Sequence, residues 1–255
     1  MVVYLPNLGL SAPKVFAPLE MWDALVDGED PGSEEFRFER VPNDHPLWVV
    51  YSSGTTGRPK AIVHNHVGVL VNFLSLNAFN YEIKEGDISF FYSTTGWIVF
   101  NSLVGMMING SSIVLYDGSP AYPSVDVLWK MAADVKVKLF GASPSYVQLM
   151  RRHNVKPNKT YGFSHLQAVV LSGSPATPET FTWFYDSVKE DLWIGSVSGG
   201  TEIAGGFVGA SIILPVRAGE IQCRLLGFEI EAWSERQESV VNEVGELIFQ
   251  EADRH

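Results

Sequence analysis

From residue 47 onward the apolar positions fall into short continuous runs that alternate with stretches of helical spacing. The run 47–50, Leu-Trp-Val-Val, reads as a buried strand, followed by a helix over 66–79, a strand over 88–92 and a helix from Trp97 that ends at Gly110. A strand over 112–116, a helix opening at Ser124 and a strand over 137–140 continue the alternation. Ser143 with Pro144 behind it marks the next helix start, because a serine hydroxyl accepts from a free N-terminal N–H and proline fits the first turn. A strand over 166–171, a helix after Pro178 and a strand over 192–197 complete the series. This rhythm predicts an α/β layered core of sheet and helix over 46–215. After Gly219 the pattern changes to short alternating segments at 220–225, 228–233 and 246–249, with 234–237 as a turn, which predicts a small β subdomain over 216–255. Residues 1–45 are acidic, rich in Pro and Gly and lack sustained periodicity, and they read as a linker or surface segment.

Composition narrows the function. With 46% hydrophobic residues in 255, the chain can bury a sizeable core. A net charge of −11 with no basic run longer than Arg151-Arg152 lacks the electrostatic footprint of a nucleic-acid binder. The apolar stretch 97–108, interrupted by Asn101, is too short to span a bilayer, and the first residues lack the pattern of a signal peptide. The single cysteine, Cys223, forms no internal disulfide framework and reads as a small buried strand residue in a reducing, cytoplasmic compartment.

One loop stands apart. Tyr51-Ser52-Ser53-Gly54-Thr55-Thr56-Gly57-Arg58-Pro59-Lys60 consists almost wholly of hydroxyls, glycines and cations. Gly54 and Gly57 permit positive φ and close approach of backbone N–H groups to an anion, Ser52, Ser53, Thr55 and Thr56 add donors, and Lys60 adds charge. Ser/Thr/Gly clusters after strands are usually turns, but a run of this length and uniformity points to a phosphate cradle. Coming straight after the 47–50 run, it is expected at the carboxyl end of a strand, where open α/β sheets bind ligands. It is not a Walker A sequence, since Gly54 and Gly57 are three apart and Ala61 follows Lys60.

That decapeptide resembles the signature loop of the adenylate-forming acyl-CoA synthetases, the AMP-binding superfamily. Thr94-Thr95-Gly96-Trp97, the stretch from Leu115 to Pro120, Ser198-Gly199-Gly200-Thr201 and the stretch from Gly219 to Arg224 follow in the order of that superfamily and are most similar to its acetoacetyl-CoA synthetase branch. The resemblance implies an acid–thiol ligase that uses ATP, Mg²⁺ and CoA to turn a short keto acid into its CoA thioester by way of an acyl adenylate. It assigns the Ser52 to Lys60 loop to the β- and γ-phosphates, Thr201 to the α-phosphate and Glu202 to Mg²⁺, which takes one or two protein carboxylates together with phosphate oxygens. Gly173, Ser174 and Pro175, with Ser198, Gly199 and Gly200, are expected around the adenine, and Trp97 and Ile98 around the acyl group. The superfamily commonly carries an aromatic residue where this chain has Ser198, which leaves the adenine's stacking partner open. Read on the residues alone, Thr201-Glu202 is equally a helix cap with an acid in its first turn.

The resemblance further implies a ribose-binding aspartate and a mobile C-terminal domain with a reactive-site lysine. Neither has a counterpart up to His255, so the expectation is a central fragment with weak or no turnover. Two rivals stand beside acetoacetate ligation: a ligase for acetate, propionate or butyrate, and a non-catalytic nucleotide-binding remnant.

Overall fold

The computed structural model describes residues 2–4, 19–21, 24, 37–52 and 57–250. The chain divides into two compact units, Met1–Val41 and Pro42–His255. In the first, β1 (Val2–Tyr4) and β2 (Leu19–Met21) pair in parallel, a ladder that the acidic, aperiodic pattern of this segment did not announce.

The second unit is built on a five-stranded parallel sheet made of β5 (Ile88–Phe91), β6 (Ser112–Val114), β7 (Leu139–Ala142), β8 (Ala168–Leu171) and β9 (Trp193–Ser196) in the order β6-β5-β7-β8-β9. Every residue of β7 and β8 is buried, as continuous apolar runs in a doubly covered parallel sheet require. Successive side chains serve opposite faces. Phe140, Val169 and Leu171 join α3 (Val127–Asp134), α4 (Pro144–Arg152) and α5 (Pro178–Ser187) in a core centred on Trp129, whose ring stacks on Phe140 at 4.3 Å between centroids. Leu139, Ala168 and Val170 face the other way, toward Leu76, Tyr81, Leu103 and Met106. These belong to the end of α1 (His66–Ser75) and its surroundings and to α2 (Ile98–Gly105) with its single-turn extension. Helices on both faces of a parallel sheet give the α/β core that the alternating pattern predicts.

Several boundaries move. Helix α3 begins at Val127, because Ser124 turns its hydroxyl onto Asp126 at 2.5 Å and its carbonyl accepts from the Val127 N–H, a turn before the helix proper. Ser143 caps α4 as expected, its hydroxyl accepting from the Tyr146 N–H. Helix α1 does not end in an ordinary turn but runs on as a π-helical turn over Leu76–Asn80.

The largest difference concerns the run 47–50. It lies in β3 (Pro46–Ser52), which is half-buried, not buried, and pairs antiparallel with β4 (Lys60–Asn65) in a separate two-stranded sheet. The chain returns through residues 53–59 alone, whereas a parallel neighbour needs a crossover of about a dozen residues or more. The phosphate-cradle candidate thus follows a strand, but that strand is a hairpin arm and not a member of the parallel sheet.

Beyond β9 the chain forms β10 (Ser198–Gly200), β11 (Gly205–Gly209) and β12 (Cys223–Arg224), an antiparallel sheet that continues across residue 216. A second antiparallel sheet holds β13 (Glu229–Trp233) between β14 (Ser239–Val240) and β15 (Glu246–Gln250), with the turn at Ser234 closed by its N–H donating to Glu238 O at 2.9 Å.

Candidate active site

The carboxyl ends of β5, β8 and β9 open onto a cavity of about 490 Å³, placed where parallel α/β sheets carry their ligands. One wall of its mouth is Gly173, Ser174 and Pro175, the turn that follows β8, and another is Ser198, Gly199, Gly200 and Thr201, which continue from β9. Trp97 and Ile98, at the start of α2, form a third side, and Trp97 is 69% exposed and so belongs to the rim, not to the core. Nine residues that the sequence nominates for adenine, α-phosphate and acyl contacts are thereby gathered around one space.

Gly199 and Gly200 are not a flexible pair before Thr201, as their composition suggests, but part of a paired strand. A Cβ on Gly199 would lie 2.0 Å from Gly205 O, so the residue is glycine because two backbones meet there. Thr201, Glu202 and Ile203 then form one 3-10 turn that ends at Ala204, whose φ of 51° puts a non-glycine residue in the left-handed region. Asn72 Nδ2 from α1 donates to Ile203 O at 3.0 Å, which fixes one carbonyl of that turn.

His64 fixes the next. The indole N–H of Trp48 donates to His64 Nδ1 at 2.8 Å, which makes Nδ1 an acceptor and leaves the proton on Nε2. Nε2 in turn donates to Glu202 O at 3.0 Å. The hairpin β3–β4 is thus joined to the Thr201–Glu202 turn by a relay that runs from an indole through an imidazole to a main-chain carbonyl. Helix entry just after His64 is the work of Asn65, whose side chain accepts from the Gly68 N–H at the start of α1.

Of the phosphate-cradle candidates, Ser53, Gly54, Thr55 and Thr56 lie outside the described residues. Ser52 and Lys60 face each other as the last register pair of the hairpin, and Gly57 has φ 93°, a conformation that a side chain would strain. None of these three lines the cavity. Glu202 stands just outside it as well: it is exposed, and its carboxylate lies over Gly200, where a Cβ would come within 2.7 Å of Oε2. Among the described residues there is no group of three or more His, Cys, Asp or Glu suited to a metal ion. One exposed carboxylate at the cavity edge is no dedicated protein cage; it would fit an ion such as Mg²⁺ only with phosphate oxygens and water completing the shell.

The inner end of the cavity, which the sequence did not nominate, is formed by Leu76, Asn77 and Tyr81 with Phe91, Met106 and Val170. Burial pushes the Tyr81 phenol far above its usual pKa, so it stays protonated. A signal for this wall existed: asparagine is a poor helix-interior residue, and Asn72, Asn77 and Asn80 interrupt an otherwise apolar helix. Cys223 is half-buried on β12, its Sγ 3.8 Å from Gly209 O, and burial raises its pKa.

The pattern of the AMP-binding enzyme family matches residues 11–252. The chain belongs to that family. Among its relatives, acetoacetyl-CoA synthetase of Gallus gallus is 37% identical over 226 residues, which are 89% of this chain and 34% of that protein. Malonamoyl-CoA synthetase vrtB of Penicillium aethiopicum is 35% identical over 236 residues, 86% of this chain and 33% of that one. The structure of acetoacetyl-CoA synthetase from Streptomyces lividans superposes with a TM-score of 0.86 at 41% identity, covering 97% of this chain and 38% of that one. This chain therefore spans about a third of the length of the relatives it matches.

Proposed function

We propose that this chain carries the nucleotide- and acid-binding part of an ATP-dependent acid–CoA ligase acting on acetoacetate. The observation that supports this most is the convergence of the β8 turn, the Ser198–Thr201 strand end and the start of α2 on one cavity at the carboxyl ends of the parallel strands. In this reading Gly173, Ser174, Pro175, Ser198, Gly199 and Gly200 border the adenine, Thr201 binds the α-phosphate, and Trp97 and Ile98 border the acyl group. The hairpin loop, with Ser52, Ser53, Gly54, Thr55, Thr56, Gly57 and Lys60, holds the β- and γ-phosphates.

A carboxylate oxygen of the acid attacks the α-phosphorus and pyrophosphate leaves; the thiolate of CoA then attacks the acyl carbonyl and AMP leaves. The protein's task in the first step is to hold the acid in line and to balance phosphate charge. Glu202 would hold Mg²⁺, which supplies a positive charge between phosphate oxygens. The relatives point to the acid: the acetoacetyl and malonamoyl groups in their names both carry an uncharged carbonyl at the third carbon.

The test is calorimetry of the full chain with ATP and Mg²⁺, followed by ATP–pyrophosphate exchange with acetoacetate, acetate, propionate and butyrate. Binding with exchange that is fastest for acetoacetate is the expected result, and Glu202→Gln is expected to weaken Mg²⁺-dependent ATP binding by about tenfold or more. Binding without exchange for any acid would leave a nucleotide-binding module. Absence of nucleotide binding refutes both.

A further inference from the structure

Resting on the adenylation reading, the geometry points to Asn77 as the residue that selects the acid: a short carboxylic acid bearing a second, uncharged carbonyl, in preference to aliphatic acids and to dicarboxylates. The cavity has two ends of different character. Its mouth is exposed and edged by glycines and hydroxyls, whereas its inner end is apolar, formed by the buried Leu76, Met106 and Val170 with the half-buried Phe91. Asn77 is 2% exposed and lines that inner end. Its Nδ2 donates one hydrogen bond, to Gly105 O at 3.2 Å, and among the described residues the side chain has no other partner. An amide offers two N–H hydrogens, so one donor remains.

The backbone supports this assignment independently. Asn77 sits in the π-helical turn Leu76–Asn80 that closes the helix, and π turns, rare overall, are frequent at functional sites. Tyr81 follows directly and also lines the cavity, so two uncharged polar side chains stand in an otherwise apolar wall.

Charge sets the other limit. None of the described residues lining the cavity is Asp, Glu, Lys, Arg or His. A second carboxylate at the inner end would lose its hydration with no cation to compensate, which is far more costly than burying a neutral carbonyl that accepts a hydrogen bond. A purely aliphatic tail would fit but would leave the Asn77 donor dry and unpaired, a loss of about tenfold to a hundredfold in affinity. The acid's own carboxylate lies at the mouth in this reading, near Thr201, and only its tail reaches Asn77.

Three non-hydrolysable sulfamoyl-adenosine mimics of the adenylate test this, with acetoacetyl, butanoyl and succinyl groups, titrated calorimetrically into the full chain and into Asn77→Leu. The expected wild-type order is acetoacetyl tighter than butanoyl by about tenfold or more, with succinyl weakest. Asn77→Leu is expected to bring the acetoacetyl-to-butanoyl ratio near one while leaving succinyl weak. A wild-type chain that binds all three alike, or a variant that keeps the wild-type ratio, overturns the assignment while the adenylation reading stands. If none of the three binds, the adenylation reading itself falls and this assignment with it. Should Asn77→Leu fail to fold, the wild-type ratios alone decide.

Discussion

Two regions that must meet a nucleotide on the proposed function are held in opposite ways. The wall made by β8 and β9 is part of a parallel sheet covered on both faces, where Val169, Leu171 and Ile194 are essentially inaccessible to water. The hairpin β3–β4 has only two strands, with Val49, Tyr51 and Val63 exposed. It is seated by Trp48 against Phe73, at 6.3 Å between ring centroids, and by the Trp48–His64–Glu202 relay. Burial positions the first region and a few directional bonds position the second. The contrast teaches that substitutions in the two should register in different measurements: global unfolding for the sheet, and the geometry of the Thr201–Glu202 turn for the hairpin.

The largest effect is expected in the sheet. Phe140→Ala removes the ring stacked on Trp129 and should lower unfolding free energy by about 3–5 kcal/mol in urea titration. A loss below about 1 kcal/mol would mean that the sheet is not the stabilising centre. Next, Gly199→Ala drives a methyl into Gly205 O and should cost about 1–3 kcal/mol, with loss of AMP binding at the cavity mouth. Unchanged affinity would show that β10 need not pair with β11 for the site to work.

His64→Phe sharpens the comparison from the hairpin side. It leaves the Trp48 N–H and Glu202 O unpaired in a half-buried setting, for about 1 kcal/mol. Its more telling readout is the indole N–H resonance of Trp48, expected to move upfield and to exchange faster, with sheet amides unaffected. Equal loosening of β7 and β8 amides would erase the distinction between the two regions.

The smallest effect lies at a side-chain pair that belongs to neither region. Tyr161 OH donates to Asp126 Oδ2 at 2.7 Å, and that bond raises the Tyr161 pKa to about 12, while hydrogen bonds from Ser124 and Tyr161 lower that of Asp126. For the tyrosine, stability is present below its unfolded pKa of about 10 and is lost as pH rises toward 12. For the aspartate it is present above the unfolded value and is lost as pH falls through the lower folded one. Both groups are half-buried and still reached by solvent, which screens the pair, so each contribution is about 1 kcal/mol or less. Asp126→Asn should flatten both limbs of the stability–pH curve, and an unaltered alkaline limb would contradict the pairing.

What could be read from the chain follows from these same physics. The strands of the parallel sheet announce themselves because burial on both faces demands unbroken apolar runs, as in Val169-Val170-Leu171. The hairpin hid its second arm because Lys60 to Asn65 places Ile62 and His64 inward and Ala61 and Val63 outward, so neither face is distinctly polar. Residues of the cavity mouth were legible through short motifs, Ser198 to Thr201 above all. Those of its inner end were not, because Leu76 and Met106 look like ordinary core until the fold leaves a space beside them. Asn72 and His64 act on main-chain carbonyls distant in sequence, and no local pattern encodes such a partner.

Ala204 shows what this arrangement asks of a residue with no chemistry of its own. It closes the Thr201–Ile203 turn in a mirror-image backbone conformation, and its methyl is wholly enclosed. Asparagine, the usual occupant of such a conformation after glycine, is too bulky for the space, and valine or threonine is barred by the backbone itself. In a saturation library scored for folded protein, position 204 should accept glycine and little else, which makes an inert methyl one of the most exacting demands that the fold places on its gene.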